Sequence, residues 1–428
     1  MAYDFSDFTR FPEKWPLYRI GDFASVKGGK RLPAGTALVP TRTLHPYLRI
    51  VDFKDGRIDK SGLMFVPDDV FPRIARYIIS SHDIYISIVG TIGLVGVIDK
   101  TLDGANLTEN AAKICNIANH VNRDYLFTFL RSDWGQHQIK ALTVGSTQPK
   151  LALFRIEDIR VPLPPLPVQK AIAHILGTID NKIELNRRMN ETLDGMARAL
   201  FQSWFVDFDP VRAKLDGRQP AGMDAETAAL FPGAFQDSSL GLIPKGWSVK
   251  TIGEILELAY GKPLKAEDRK NGHVSVYGAN GPVGWHNERL VPGPGIVIGR
   301  KGNPGVVTWA HDDFYPIDTT FYVVPTSDCR SLYFLYYALS AQDLANLSAD
   351  SAVPGLNRNH AYMSKQVIPS QAILKTFDSQ ISPVFAAIYA NEEQSRTLAA
   401  LRDTLLPKLL SGELSVANAE SLVGDVAS

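Results

Sequence analysis

The sequence predicts an α+β chain in which two β-rich globules alternate with two long helices, the helices pairing as an antiparallel coiled coil about an internal pseudo-twofold. Three observations carry this. A short phrase occurs twice, "PEKWPLYRIGDF" at 12 to 23 and "PKGWSVKTIGEI" at 244 to 255, aligned without a gap at an offset of 232. Further matches follow in the same order: "DIYISIVGTIG" at 83 with "GIVIGRKGNPG" at 295, "DYLFTFL" at 124 with "LYFLYYAL" at 332, and "TQPKL" at 147 with "VPGLN" at 353. Finally, each copy ends in an apolar heptad seam. The first reads Ile172, Ile179, Asn186, Leu193 and Leu200; 205 positions later the second reads Phe377, Val384, Asn391, Leu398 and Leu405.

The offset falls from 232 to 205, so the first copy carries about 27 more residues, inserted mostly before Gly90. Units of this size are far longer than the repeats of a solenoid, which run roughly 20 to 45 residues. The chain is a duplication with a drifted first member.

The elements follow in order. Residues 1–160 form the first globule, with short β-branched runs such as "YISIVGTIGLVGVID" broken by Gly and Asp, and a helical pattern at "NRDYLFTFLRSDWGQHQIKAL". Residues 161–208 form the first helical spacer. "VPLPPLPVQ" cannot continue a strand and sets a helix start near Pro167, and the apolar stripe runs to about Phe205. Ile175, Ile183, Met189 and Met196 widen this stripe, as Ile381, Ile388 and Leu401 widen the second. Residues 209–367 comprise a connector rich in Pro, Gly, Ala and Asp as far as Leu242, then the second globule. Residues 368–428 form the second helical spacer and a tail.

A helix of about 35 to 40 residues is roughly 50 to 60 Å long at about 1.5 Å per residue. Neither stripe can stay exposed, and antiparallel pairing about a twofold would hold the globules at opposite ends. Asn186 and Asn391 then fall near the crossing point, where a buried asparagine lowers stability but favours one register, or else at its solvated edge. Such a spacing matches one to two turns of duplex DNA, about 34 Å each.

Composition limits the rest. The formal net charge is zero, with 45 basic and 45 acidic residues, so any nucleic-acid surface must be patterned. The stretch from Lys27 to Arg76 holds ten Lys/Arg against five Asp/Glu. Two distant cysteines, Cys115 and Cys329, lack ligand spacing and fit a reduced, cytoplasmic compartment. The first residues are acidic and aromatic, unlike a signal peptide, and no apolar run is long enough to span a bilayer.

No catalytic motif emerges. "SVKGGKRL" lacks the leading glycine of a phosphate-binding loop, no His-Glu-x-x-His occurs, and "LPPL" is not the Asn/Asp-Pro-Pro-aromatic segment of amino-methyltransferases. Metal ligands are not expected. DNA contact is the better-supported role. Lys27, Lys30 and Arg31 cluster around "GGKRLP", a turn where phosphate could approach bare backbone, and Arg42 and Arg49 flank "TLHPYL". "GSTQPKL" offers Ser146, Thr147, Gln148 and Lys150, of which Gln148 suits adenine and Lys150 suits guanine or phosphate. In the second copy Lys262, Lys265, Arg300, Lys301, Asn303, Asn357, Arg358 and Asn359 occupy comparable loops. At the end of the first helix, Phe201, Trp204, Phe205 and Phe208 stack within two turns. They either pack under the second globule or form a docking face for another subunit.

The central stretch "LPPLPVQKAIAHILGTIDNKIELNRRMNETLDGMARALFQSWFVDFDPVRAKLDGRQPAGMDAETAALFPGAFQDSSLGLIPKGW" and the closing "LAALRDTLLPKLLSGEL" resemble the specificity subunit of Type I restriction-modification systems, and the order of parts matches over essentially the whole chain. That resemblance implies two target recognition domains, at 1–160 and within 209–367, alternating with two helical spacers. It implies a non-catalytic subunit that reads a bipartite, asymmetric site in double-stranded DNA. Its partners would be two methyltransferase subunits, which bind S-adenosylmethionine and flip out adenine, and ATP- and Mg-dependent restriction/translocase subunits. No cofactor would bind this chain itself. The alternative is a stand-alone or decoy DNA-binding protein of the same fold without methyltransferase partners. The recognition loops match least well: "SAVPGLNRN" lacks the Thr-Gln pair of "GSTQPKL".

Overall fold

The strands that enter the Gly-x-x-Gly turns, Ile84–Ser87 and Gly295–Gly299, become inner strands of two equivalent sheets. The computed structural model describes residues 11–12, 15–145, 149–326, 329–347, 355–419 and 421. The chain divides into two compact units, one made of Met1–Leu185 with Gln394–Ser428, the other of Asn186–Glu393.

In the first unit an antiparallel sheet runs in the order Ser25–Gly28, Ala111–Cys115, Ile84–Ser87, Val95–Gly96. A second sheet runs Met64–Phe65, Pro46–Leu48, Ala105–Leu107, Ile78–Ile79, its middle pair parallel. Ile84, Tyr85 and Ile86 are all buried, because both faces of the strand are covered; hence the sequence shows a continuous apolar run rather than alternation. Helices Arg123–Arg131 and Asp133–Leu142 start where Asn122 and Ser132 accept from Tyr125 N and Gly135 N. The repeated phrase forms strand Leu17–Arg19, antiparallel to Arg160–Pro162, closing the globule.

The second unit repeats this plan. Leu256–Tyr260, Thr320–Pro325, Gly295–Gly299 and Val307–Ala310 form the first sheet, and Gly281–His286, Val274–Gly278 and Phe314–Pro316 the second, the latter pair again parallel. Ser248–Thr251 pairs with Lys365–Ile368 in the role of the closing ribbon. The stretch from Leu48 to Ile79, which includes the hairpin Phe53–Lys54 with Arg57–Ile58, corresponds to a much shorter one from Tyr277 to Val291. The extra residues of the first copy therefore fall before Gly90.

The helical spacers are Leu166–Phe205 and Gln371–Leu410, each 40 residues long. Gln169 locks the start of the first: its buried amide donates to Pro164 O at 2.8 Å and its oxygen accepts from Asn122 N at 2.8 Å. Within the first unit the leading half of this helix, through Ile172, Ile175 and Ile179, packs on Leu398, Leu405 and Leu409 of the trailing half of the second. Asp180 accepts from Arg402 Nη1 at 2.9 Å and from Arg131 Nη1 at 3.3 Å. Within the second unit the trailing half, through Ala197, Phe201 and Phe205, packs on Phe377, Ile381 and Phe385. There Asn186 Nδ2 donates to Asn391 O at 3.3 Å and Asn190 Nδ2 to Ile388 O at 3.2 Å, so numbers rise on one helix as they fall on the other. The pairing is antiparallel. Asn186 is buried, which excludes the solvated-edge position for it. Leu193, Leu200 and Val384 are half-buried along the seam, and Met189 and Met196, expected to widen it, stand exposed.

One further expectation is corrected. Phe201, Trp204, Phe205 and Phe208 do not form a docking face: all four are buried in the second unit, where Phe205 packs 5.0 Å from Phe377 and Phe208 5.7 Å from Trp247. The connector has structure of its own. It folds into helices Asp209–Leu215 and Ala225–Leu230 and a hairpin, Phe235–Ser238 with Gly241–Pro244, that bury Val211, Phe231 and Ile243. Among the described residues no helix is long and apolar enough to cross a membrane, and Cys115 and Cys329 are buried.

Candidate nucleic-acid interface

In each unit three segments distant in sequence are held by backbone hydrogen bonds that match between the units. The first is the glycine-lysine turn. Lys30 N donates to Leu107 O at 2.8 Å, and Lys262 N to Pro316 O at 3.1 Å. A Cβ on Gly29 would lie 2.1 Å from Thr108 O, and one on Gly261 2.1 Å from Ile317 O, so only glycine lets these chains touch. Gly29 N is also committed, donating to Ala111 O at 2.9 Å. This corrects the expectation of bare backbone awaiting a phosphate: the glycine is demanded by packing.

The second segment is the Gly-x-x-Gly turn. Gly93 N donates to Ser87 O at 3.0 Å and Gly305 N to Gly299 O at 2.9 Å, with Gly90, Gly93, Gly302 and Gly305 all at positive φ. The third is the loop before a short helix: Leu151 N donates to Ile88 O at 3.0 Å, and Leu356 N to Arg300 O at 2.9 Å. The framework is common to both units while its side chains differ, Ile88 and Val89 standing where the second unit has Arg300 and Lys301.

In the first unit Lys27, Lys30, Arg31 and Lys150 are exposed on these segments, and Lys30 lies 5.7 Å from the Tyr77 ring centroid. Ser146, Thr147 and Gln148 lie outside the described residues. Arg42 sits on the segment leading into Pro46–Leu48 rather than on any of the three. Arg49 is committed to structure, its Nη2 donating to buried Asp52 at 2.8 Å and to Gly62 O at 2.7 Å. Arg31 Nε donates to Glu109 Oε1 at 2.7 Å, which raises the Arg31 pKa. Burial pushes the Glu109 carboxyl up, but the bonds from Arg31, its own backbone and Thr108 outweigh that and leave it lowered. Tyr47 hydroxyl donates to Lys30 O at 2.9 Å, and burial pushes its pKa up to about 12.

In the second unit Lys262, Lys265, Lys301, Asn303 and Asn359 are exposed. Lys265 is 3.8 Å from Glu267, and Asn303 Nδ2 donates to Asn280 Oδ1 at 2.5 Å, bringing the turn between Val274–Gly278 and Gly281–His286 onto the same surface. Asn357 is an N-cap: its Oδ1 accepts from Asn359 N at 3.0 Å and His360 N at 3.3 Å, leaving only its amide NH2 for a ligand. Arg300 and Arg358 both lie over Tyr260. Glu109, Asn280 and Tyr260 are absent from the sequence-derived set; Tyr260 alone carried a signal, as an exposed aromatic directly before Gly261-Lys262. Among the described residues no group of three or more His, Cys, Asp or Glu converges as a metal site. The arrangement can present cations and amides to an anionic, acceptor-rich polymer.

Comparison with known proteins bears on these two loop sets together. Residues 12–194 and 244–369 match the family model described as Type I restriction modification DNA specificity domain. The chain is 27% identical over 385 residues to the Type I restriction enzyme HindI specificity subunit of Haemophilus influenzae, covering 74% of this chain and 83% of that one. It is 23% identical to the MjaIX specificity subunit of Methanocaldococcus jannaschii over 96% of each. Among solved structures, the S subunit of a Type I restriction-modification system from M. genitalium matches with a TM-score of 0.54 at 18% identity, over 92% of this chain and 96% of that one.

Proposed function

Because the chain belongs to the Type I restriction modification DNA specificity family, we propose that it is the DNA-reading subunit of a Type I restriction-modification complex, taking a bipartite, asymmetric site in double-stranded DNA with one half read by each unit. The observation that carries this reading is the repetition of one loop framework furnished with different side chains. Equal frameworks present loops alike; unequal side chains select unlike sequences.

Lys27, Lys30, Arg31, Lys150, Lys262, Lys265 and Lys301 supply charge to phosphates, releasing counterions as they bind. Ser146, Thr147, Gln148, Asn303, Asn357 and Asn359 offer donors and acceptors to base edges, as do Arg300 and Arg358. Arg42 serves at the margin. Base flipping and methyl transfer belong to two methyltransferase subunits that bring S-adenosylmethionine; ATP and Mg belong to restriction/translocase subunits joined through them.

The test is methyl transfer from labelled S-adenosylmethionine to duplex DNA. The isolated chain should transfer nothing, the methyltransferase subunits alone should transfer poorly, and the mixture should methylate at defined sites. Transfer by the isolated chain would contradict the reading, and a chain that binds DNA yet forms no complex with those subunits would be a decoy instead.

A further inference from the structure

Three residues from three separate segments of the second unit meet at one ring. Tyr260 ends strand Leu256–Tyr260, Arg300 follows strand Gly295–Gly299, and Arg358 opens helix Arg358–Met363. The Arg300 guanidinium carbon lies 5.1 Å from the Tyr260 ring centroid and that of Arg358 lies 5.0 Å from it. The surroundings are anchored. Phe321, buried, is 5.0 Å from the Tyr260 ring and 5.9 Å from the Arg300 guanidinium. Tyr362, 5.7 Å from Arg358, accepts at its hydroxyl from Leu258 N at 2.9 Å.

Both arginines are half-buried, and among the described residues neither forms an ion pair, while Tyr260 is 50% exposed. A guanidinium over an aromatic ring keeps its N–H edge free to donate, and the ring quadrupole offsets part of the repulsion between two like charges. The corresponding positions in the first unit, fixed by the shared hydrogen bonds, are Gly28, Ile88 and Leu153, which carry no charge; a Cβ on Gly28 would meet Leu153 Cδ1 at 3.6 Å.

We propose that Tyr260 is a positioning residue that holds Arg300 and Arg358 as a preoriented pair of donors for an acceptor edge of DNA, either guanine O6 and N7 or phosphate oxygens, in the half-site read by the second unit. This rests on the DNA-reading role proposed above. The ring fixes direction and the arginines make the contact, so the device acts on one half-site only.

The experiment selects bound duplexes from a random-sequence library with the full chain, then measures affinity for the selected duplex across a salt series. Tyr260→Phe should keep the selected sequence and affinity, because the ring face remains. Tyr260→Leu should weaken binding about tenfold, as should Arg300→Ala and Arg358→Ala, and combining Tyr260→Leu with Arg300→Ala should add less than the two separately. If phosphate is the acceptor, all duplexes weaken alike and the salt slope flattens by about 0.9 per lost contact. If guanine is the acceptor, information is lost at a G·C pair in one half-site and the slope holds. Tyr260→Leu binding like the unmodified chain, while either arginine variant binds weakly, would overturn the inference. Absence of sequence-dependent binding by the unmodified chain would overturn the DNA-reading role itself, and this inference with it.

Discussion

Asn391 Nδ2 donates to Asn190 Oδ1 at 2.8 Å across the helix pair of the second unit, beside the part-buried bond from Asn186 to the Asn391 carbonyl. Polar bonds in an apolar seam are satisfied in one register and broken in its neighbours. Asn391→Leu leaves Asn190 without this donor and should cost about 1 to 3 kcal/mol in a denaturant melt. Replacing Asn186, Asn190 and Asn391 together by Leu should recover stability but yield mixed registers or assemblies, seen by light scattering after size-exclusion chromatography. A triple variant that stays monodisperse with one register would show that these asparagines do not set it.

Glu109 restrains Arg31, whose side chain is 79% exposed. Glu109→Gln should release that cation, tighten DNA binding at low salt and steepen the salt dependence by about 0.9 in log–log slope. The sign with pH follows. The folded-state pKa of Glu109 is lowered, so its ion pair is present above the usual glutamate range and is lost as pH falls through the lowered value. The difference between the variant and the unmodified chain should therefore be full at neutral pH and vanish in acid. Equal salt slopes at neutral pH would count against the Arg31 contact.

Gly29 and Gly261 answer to packing, Gly90 to backbone angle alone. An alanine Cβ at Gly29 or Gly261 meets carbonyl oxygen at 2.1 Å, whereas at Gly90, with φ +78°, nothing lies within 4 Å. Gly29→Ala and Gly261→Ala should cost about 3 kcal/mol or more, and Gly90→Ala only about 1 to 2 kcal/mol. Thermal melts of the three variants decide it.

Phe205 separates core from docking. Phe205→Ala should cost about 3 to 5 kcal/mol and lower the melting temperature. A variant of undiminished stability that fails to bind methyltransferase subunits would restore the docking assignment.

Much of the architecture was legible because it is periodic. A heptad seam repeated at constant offset announces two like helices, and paired glycines announce two like turns at Gly90 and Gly302. The asparagine bonds were half legible: Asn186 and Asn391 stand at seam positions, but Asn190 falls off the repeat and is recruited by the crossing of the helices. The loop face was harder to read, since Tyr260, Arg300 and Arg358 lie tens of residues apart and only the sheet order joins them. At the connector, Pro, Gly, Ala and Asp mark only a boundary, and the packing of Phe208 and Phe231 on Trp247 had no signal in that composition.

The central claim is that one chain carries two equivalent frameworks with unlike readers. Its most direct test is single-molecule methylation sequencing of a genome exposed to this chain and its methyltransferase subunits. The account predicts one motif of two different short halves around an unread gap, with substitutions at Arg300, Lys301 or Arg358 altering only one half. A single contiguous motif, a palindrome, or changes in both halves from those substitutions would contradict it.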